Sequence, residues 1–86
     1  MVNILYVDDE PAVGLILQDA LEGLGHHAIG AKSVAEALAV LEKTEIHLII
    51  SDYRMPGMSG LEFLELLREN GRDTPLIMLT GHGGVQ

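Results

Sequence analysis

The segment His47-Leu48-Ile49-Ile50-Ser51-Asp52 decides the fold class, because an unbroken apolar run here ends in a carboxylate. Apolar residues in continuous order, without polar alternation, are typical of a strand that is covered on both faces. Strands of this kind belong to parallel sheets with helices on both sides. We therefore predict a central strand over residues 47–51, with Asp52 opening the loop that continues to Ser59.

Short apolar runs alternate with segments of helical period on both sides of this strand. Three further strands are predicted at about Asn3 to Val7, Ala28 to Ala31 and Pro75 to Thr80. Strands that alternate with helices in this way form a doubly wound parallel sheet. The chain of 86 residues is long enough for at most one small domain and too short for a separate output module.

Three helices are predicted between the four strands, and each has start or stop signals. The first begins near Pro11 and ends before Gly25, which can supply a left-handed cap. Capping boxes at Ser33 to Glu36 and Ser59 to Glu62 open the other two, and Gly71 is predicted to cap the third. The apolar residues of the first helix are predicted to form one core face: Val13, Ile16, Leu17, Ala20, Leu21 and Leu24.

Charge and composition narrow the class of partner. The formal net charge is -8, the wrong sign for binding nucleic acid or an anionic membrane, so a cation is the more natural ligand. Cysteine is absent, which removes disulfides and thiolate metal sites and fits a cytoplasmic location. No apolar stretch approaches the roughly 20 residues that span a bilayer, and the chain does not open on a basic signal-peptide head.

Polar residues follow three of the predicted strands. The first strand is followed by Asp8-Asp9-Glu10, the third by Asp52, and the fourth ends at Thr80-Gly81. Parallel strands bring their carboxyl ends to one edge of the sheet, where ligands bind. Converging carboxylates need a bound cation or raised pKa values, and oxygen ligands select a hard ion. The pattern predicts a Mg²⁺ site at this edge.

These features resemble the receiver domains of two-component response regulators, of the type of the chemotaxis regulators. The resemblance covers the whole chain and rests on Asp8-Asp9, the loop from Asp52 through Arg54 to Gly60, and Thr80-Gly81, in that order and spacing. It implies a flavodoxin-like fold with the strand order 2-1-3-4-5. It also implies a phosphoacceptor regulator that is not an enzyme in its own right.

The resemblance assigns a role to each residue at the sheet edge. Asp52 accepts a phosphoryl group from a sensor histidine kinase, and Thr80 is the switch hydroxyl. Asp9 and Asp52 bind Mg²⁺ directly, Asp8 acts mainly through water, and the Arg54 backbone carbonyl is the third protein ligand. Phosphorylation then switches a downstream output domain, which is expected to regulate transcription, so this domain itself contacts no nucleic acid and no membrane.

One departure from the family pattern affects the expected extent of the domain. Receiver domains continue with a fourth helix, a fifth strand bearing a lysine, and a fifth helix, so residues 1–86 are expected to be an N-terminal portion. Lys32 and Lys43 are expected away from the carboxyl edge and do not replace that lysine. The apolar fourth strand, with Leu76 to Leu79 at its centre, is expected to drive self-association through its exposed backbone.

Other interpretations give the same residues different roles. Asp8, Asp9 and Glu10 would by themselves suit the start of a helix, whose dipole favours acidic groups. A phosphatase of the haloacid dehalogenase type also uses aspartate and Mg²⁺, but it places Asp-x-Asp after the first strand. A flavodoxin-like binding or interaction module without phosphorylation is a third possibility. No glycine-rich phosphate loop follows the first strand, which argues against a nucleotide or flavin as its ligand.

Overall fold

A computed structural model of the chain describes residues 2–55 and 57–79, except for the side chains of Pro11 and Val13. The described chain alternates strands and helices from beginning to end, as the apolar runs predict. The elements are β1 (Asn3–Val7), α1 (Pro11–Gly23), β2 (His27–Ala31), α2 (Val34–Lys43), β3 (Leu48–Asp52), α3 (Gly60–Glu69) and β4 (Leu76–Leu79). None of the helices within the described ranges is long and apolar enough to cross a membrane.

The four strands form one parallel sheet in the order β2-β1-β3-β4. This order confirms the flavodoxin-like topology as far as the fourth strand. Val7 at the end of β1 is in register with Ala31 of β2 and Ser51 of β3, so these strands end together. The central position of β3 is also confirmed, and Ile49 is completely buried.

The third strand runs one residue further than its apolar pattern predicts. Asp52 was expected in the loop, but it pairs with Leu79 as the last residue of β3. The N–H of Tyr53 then donates to the carbonyl of Leu79 over 2.8 Å. Backbone pairing with β4 extends the strand past the apolar run, because a ladder does not depend on side-chain polarity. Thr80, the predicted end of the fourth strand, lies outside the described residues.

A core lies on each face of the sheet. The larger one lies between the sheet and helices α2 and α3. Its completely buried residues include Leu5, Val7, Ala37 and Phe63. The smaller one lies under α1 and is built from Ile4, Tyr6 and Ile50, with Leu17 and Leu21 of the helix packed against it.

The predicted core face of α1 is only partly correct. Leu17 and Leu21 do pack on the sheet, but Ala20 is exposed and the exposed fractions of Ile16 and Leu24 are 69% and 74%. The apolar residues of α1 form a band wider than the strip that meets the sheet. Helical period alone marks the whole band, so it cannot show which of its edges is covered.

The helix ends mostly follow the predicted signals. Gly25 and Gly71 have positive φ, as the caps of α1 and α3 require. The Ser59 box is complete, because Ser59 Oγ accepts from Glu62 N–H at 3.1 Å and the Glu62 carboxylate accepts from Ser59 N–H at 2.9 Å. The second box is only half formed.

In the box that opens α2, the Ser33 hydroxyl accepts from the Glu36 N–H as predicted. The Glu36 carboxylate, however, accepts from the N–H of Lys32 at 2.9 Å instead of from Ser33. The backbone at Ser33 is more extended (φ −153°) than at Ser59 (φ −77°). The N–H groups before the two helices therefore point in different directions.

Candidate metal centre

Three carboxylates meet at the carboxyl edge of the sheet. Asp8 and Asp9 follow β1, and Asp52 ends the neighbouring strand β3. One oxygen from each lies within 4.8 Å of the others. Asp8 is buried, Asp52 is half-buried and Asp9 is exposed. The sheet therefore brings together the three acidic residues that the sequence singled out, with a face open to solvent.

Asp8 is fixed by hydrogen bonds at both carboxylate oxygens. Oδ2 accepts from the hydroxyl of Tyr6 at 2.7 Å, and Oδ1 accepts from the backbone N–H of Glu10 at 2.8 Å. Glu10 is the N-cap residue of α1, but its side chain makes no capping hydrogen bond. Asp8 therefore orders the chain that enters α1, while Glu10 does not serve as a side-chain cap.

Tyr6 is a part of this site that the sequence patterns did not predict. Residues i and i+2 of a strand point to the same face, so a tyrosine two places before an aspartate was an available signal. Burial, followed by the hydrogen bond to Asp8 and the negative charge of Asp8, raises the pKa of Tyr6 far above its ordinary value. The phenol is therefore protonated at neutral pH and acts as the donor.

Asp52 lies in an environment that opposes its charge. Burial is the main cause of its raised pKa, and the negative charges of Asp8 and Asp9 add to it. Backbone N–H groups of Arg54 and Tyr53 act in the opposite direction without cancelling the increase. Repulsion of this kind is relieved when a cation binds among the carboxylates.

A cavity of about 330 Å³ lies beside these carboxylates and is lined by Asp9, Tyr53, Arg54, Met55 and Ser59. Arg54 therefore lies on the same side of the site as Asp9. A water molecule in the liquid occupies about 30 Å³, so the cavity has space for a hydrated ion and a small ligand.

The loop after Asp52 is anchored at both ends. Met55 is buried in the larger core. The N–H of Gly60 donates to the carbonyl of Tyr53 at 2.7 Å. A Cβ atom on Gly60 would lie 2.6 Å from the carbonyl oxygen of Asp52. Glycine at this position allows α3 to start directly against the residue that ends β3.

The predicted placement of one lysine is wrong. Lys32 directly follows β2, and the N–H of Asp8 donates to the carbonyl of Ala31 at 3.0 Å, so Lys32 lies at the carboxyl edge. Its ammonium forms no ion pair within 4.0 Å with an acidic group of the described residues. Lys43 ends α2, which leads back to the amino edge of the sheet. Thr80, the predicted switch hydroxyl, lies outside the described residues.

The donor set fits a hard divalent cation. All three side chains supply oxygen, and no histidine joins the described cluster. Mg²⁺ binds one or two carboxylates and keeps several waters. The three carboxylates differ in exposure, and the open cavity beside them has space for those waters. The residues present therefore fit Mg²⁺ on chemical grounds.

Comparison with known proteins places this chain in a family. Residues 4–86 match the family model of the response regulator receiver domain. The transcriptional regulatory protein GlrR of Escherichia coli is 35% identical over 83 residues, which cover 96% of this chain and 19% of GlrR. The response regulator protein FleR of Pseudomonas aeruginosa is 37% identical and is covered over 18% of its length. The chain thus spans about a fifth of the length of these relatives.

The solved structures agree with the sequence relatives. The response regulator TrrA from Thermotoga maritima, in complex with Mg²⁺ and BeF, superimposes with a TM-score of 0.88 and 35% identity. The match covers 100% of this chain and 75% of the TrrA chain. With the parallel sheet, the carboxylate cluster and the sequence matches in agreement, the chain belongs to the family of response regulator receiver domains.

Proposed function

We propose that this domain is a phosphoacceptor in a two-component system, and that Asp52 accepts the phosphoryl group. The observation that carries the proposal is the convergence of Asp8, Asp9 and Asp52 at the open edge of the sheet. Asp52 ends the central strand, where it pairs with Leu79 of β4, and the preceding Ser51 pairs with both neighbouring strands. A fixed, partly exposed carboxylate beside two others suits a nucleophile that works next to a metal ion.

The proposed metal ligands are Asp9, Asp52 and the backbone carbonyl of Arg54, with Asp8 acting through a bound water. When bound, Mg²⁺ would neutralise charge on the transferring phosphoryl group. Asp9 is the exposed member of the cluster and lines the same cavity as Arg54, which supports their pairing as ligands. The complex of the relative TrrA with Mg²⁺ and BeF supports the same choice of ion.

The proposed reaction transfers a phosphoryl group from a phosphohistidine to Asp52. A carboxylate oxygen of Asp52 forms a bond to phosphorus, while the bond from phosphorus to the histidine nitrogen breaks and its electron pair stays on the imidazole. Fixed geometry contributes most in such a transfer, since there is little covalent chemistry for the protein to perform. The product is an acyl phosphate, which hydrolyses readily and makes the signal transient.

The proposed partners follow from the family and from the named relatives. A sensor histidine kinase is the proposed donor, and GlrR, a transcriptional regulatory protein, supports a transcriptional output domain in the whole protein. Thr80 is proposed as the hydroxyl that contacts the bound phosphoryl group, and the proposed location is cytoplasmic. The haloacid dehalogenase alternative is disfavoured, because Asp8-Asp9-Glu10 lacks its Asp-x-Asp spacing.

Self-association through β4 is a further part of the proposal. Within residues 2–55 and 57–79, the strand pairs with β3 on one side and with no strand on the other. The exposed fractions of Ile77 and Leu79 are 50% and 39%. An apolar strand with a free backbone edge is a template for pairing with a second copy of the same strand.

Phosphoryl incorporation tests the proposed function. The protein is incubated with a small acyl-phosphate donor, with Mg²⁺ or with a chelator, and its intact mass is measured. We expect the gain of one phosphoryl group only with Mg²⁺, none in Asp52→Asn, and normal incorporation in Asp73→Asn, a matched change at an exposed aspartate. Equal incorporation by Asp52→Asn and the parent would contradict the proposal.

A further inference from the structure

The hydroxyl of Tyr6 is bonded to the metal centre, but the function proposed above does not use it. It donates to Oδ2 of Asp8 over 2.7 Å. The exposed fractions of Tyr6 and Asp8 are 4% and 8%, so water has little access to this bond. A hydrogen bond to a charged group is stronger than a neutral one, and more so where water is excluded.

The position of the Tyr6 ring depends on a glycine in the neighbouring helix. A Cβ atom on Gly14 would lie 2.9 Å from Cε2 of Tyr6 and 3.5 Å from its Cδ2. Glycine inside a helix costs about 1 kcal/mol relative to alanine. Glycine occurs in α1 at the position where a Cβ atom would contact the ring of Tyr6. The placement of the ring therefore depends on the absence of a side chain at position 14.

The two hydrogen bonds of Asp8 come from different parts of the fold. Oδ2 is held by the side chain of Tyr6 in β1, and Oδ1 by the backbone N–H of Glu10 ahead of α1. With both oxygens held, the carboxylate plane cannot rotate freely. Each oxygen still has a second acceptor position for an ion or for its water.

We propose that Tyr6 is a positioning residue of the metal centre, which fixes the orientation of the Asp8 carboxylate, and that Gly14 is required to seat its ring. This inference rests on the Mg²⁺ site proposed above. The hydroxyl does not contact the ion or the phosphoryl group but acts through Asp8.

Loss of the hydroxyl has two opposing effects on ion binding. More negative charge on Oδ2 would favour the cation, whereas free rotation of the carboxylate removes the geometry that the ion and its water require. Loss of a partner that orients a ligand typically lowers metal affinity by 10- to 100-fold, so the geometric effect is the larger. Because Asp8 is proposed to act through water, we expect the lower end of that range.

The test is a Mg²⁺ titration of the parent, Tyr6→Phe, Gly14→Ala and Gly23→Ala, followed through the amide NMR signals of Asp9 and Asp52. We expect about tenfold weaker binding for Tyr6→Phe. Gly14→Ala should weaken binding in the same way, because its Cβ displaces the ring. Gly23 lies in the same helix with no atom within 4 Å of its added Cβ, so Gly23→Ala should bind like the parent.

Two further measurements separate positioning from a general loss of structure. The double variant Tyr6→Phe with Gly14→Ala should bind no more weakly than Tyr6→Phe, since both changes act through one hydrogen bond. The ring signals of Tyr6 are identified as those that the parent shows and Tyr6→Phe lacks. During the Mg²⁺ titration of the parent, these signals should shift with the same saturation curve as the amide signal of Asp52. A groove of about 280 Å³ lined by both Tyr6 and Gly14 gives the displaced ring space, so Gly14→Ala is expected to fold.

The possible results distinguish a failure of the proposed Mg²⁺ site from a failure of the positioning role of Tyr6. If the parent does not bind Mg²⁺, the proposed metal site fails and this inference fails with it. If the parent binds and Tyr6→Phe binds within twofold of it, the positioning role alone is wrong. If the double variant loses Mg²⁺ affinity by the product of the two single-variant losses, the two residues act separately. This result would also overturn the inference.

Discussion

Asp52 is a residue whose position disfavours its own charge. The fold raises its pKa above the ordinary 3.8, through burial first and then through Asp8 and Asp9. Between 3.8 and the raised pKa, the folded protein binds a proton at Asp52 more tightly than the unfolded chain does. Protonated Asp52 therefore makes its full contribution to the free energy of unfolding at low pH. This contribution is lost as the pH rises through that window. At neutral pH, without metal, the ionised side chain destabilises the fold.

Asp52→Asn is accordingly expected to stabilise the metal-free protein at pH 7, by roughly 0.5 to 2 kcal/mol. The gain should shrink towards zero as the pH falls through the raised pKa of Asp52 to the ordinary 3.8, because Asp52 of the parent becomes protonated over this range. Urea unfolding in the presence of a chelator, at several pH values, measures both effects. A gain that is equal at every pH, or a loss at pH 7, would show that repulsion at Asp52 is not the cause.

Asp9 is the residue whose removal tests the proposed metal ligands. Asp9→Ala takes away the exposed carboxylate of the cluster, so we expect Mg²⁺ affinity to fall by at least roughly 10- to 100-fold. NMR titration should shift the signals of Asp9, Asp52 and Arg54 in the parent. Asp73→Ala, an exposed aspartate outside the cluster, is the control and should bind like the parent. Binding by Asp9→Ala that equals the parent would refute the assignment.

At the scale of elements, the site depends on how closely α3 follows β3. The Gly60 N–H bonds to Tyr53, and there is no space for a Cβ beside the Asp52 carbonyl. Ser51 pairs with strands on both sides and Asp52 pairs with β4, so we expect the adjustment to fall on the start of α3 and on the loop that lines the cavity. Overpacking of this kind costs about 1 to 3 kcal/mol.

Gly60→Ala should therefore lower the free energy of unfolding by about 1 to 3 kcal/mol. The same substitution should also weaken Mg²⁺ binding. Gly23→Ala gives the matched comparison, because it adds the same methyl group to a helix position where nothing lies within 4 Å. Denaturant unfolding and the Mg²⁺ titration are measured on both variants. A Gly60→Ala protein as stable as Gly23→Ala would show that the close approach does not constrain the loop.

Element by element, the sequence patterns predicted what topology controls and missed what depends on contacts. The strand order was implied by the resemblance to receiver domains. The meeting of Asp8, Asp9 and Asp52 follows from parallel connections, so it was predictable. The two-residue spacing of Tyr6 and Asp8 puts them on one face of the strand, but it does not fix the distance between the hydroxyl and the carboxylate, so the hydrogen bond was missed. Lys32 was misplaced, although it directly follows a predicted strand and should have been assigned to the carboxyl edge.

Other differences arise where one element acts on another. Asp52 joins β3 because β4 supplies hydrogen-bond partners, which a single-strand pattern does not include. The apolar band of α1 is wider than its contact with the sheet, so Ile16 and Leu24 were wrongly placed in the core. Propensity and period describe one segment at a time, whereas burial is set by the neighbours that surround it.

At the scale of the whole molecule, the outer edge of β4 is the feature that bears on assembly. If self-association occurs through this strand, the apparent mass should rise with protein concentration in light scattering. Ile77→Lys places a charge on the strand, and a charged edge discourages pairing. We expect this variant to remain monomeric, while Leu61→Lys, at an exposed leucine of α3, should associate like the parent. A parent that is monomeric at every concentration would contradict the proposal.

Chemical mapping of the modified residue tests whether Asp52 is the phosphoacceptor. The intact protein is phosphorylated with a small acyl-phosphate donor and Mg²⁺, and is then reduced with borohydride, which converts an aspartyl phosphate to homoserine. Tandem mass spectrometry of the peptides locates the reduced residue. We predict homoserine at position 52 and at no other aspartate. Homoserine at position 8 or 9 instead, or a phosphoryl group retained elsewhere with Asp52 unchanged, would show that Asp52 is not the phosphoacceptor.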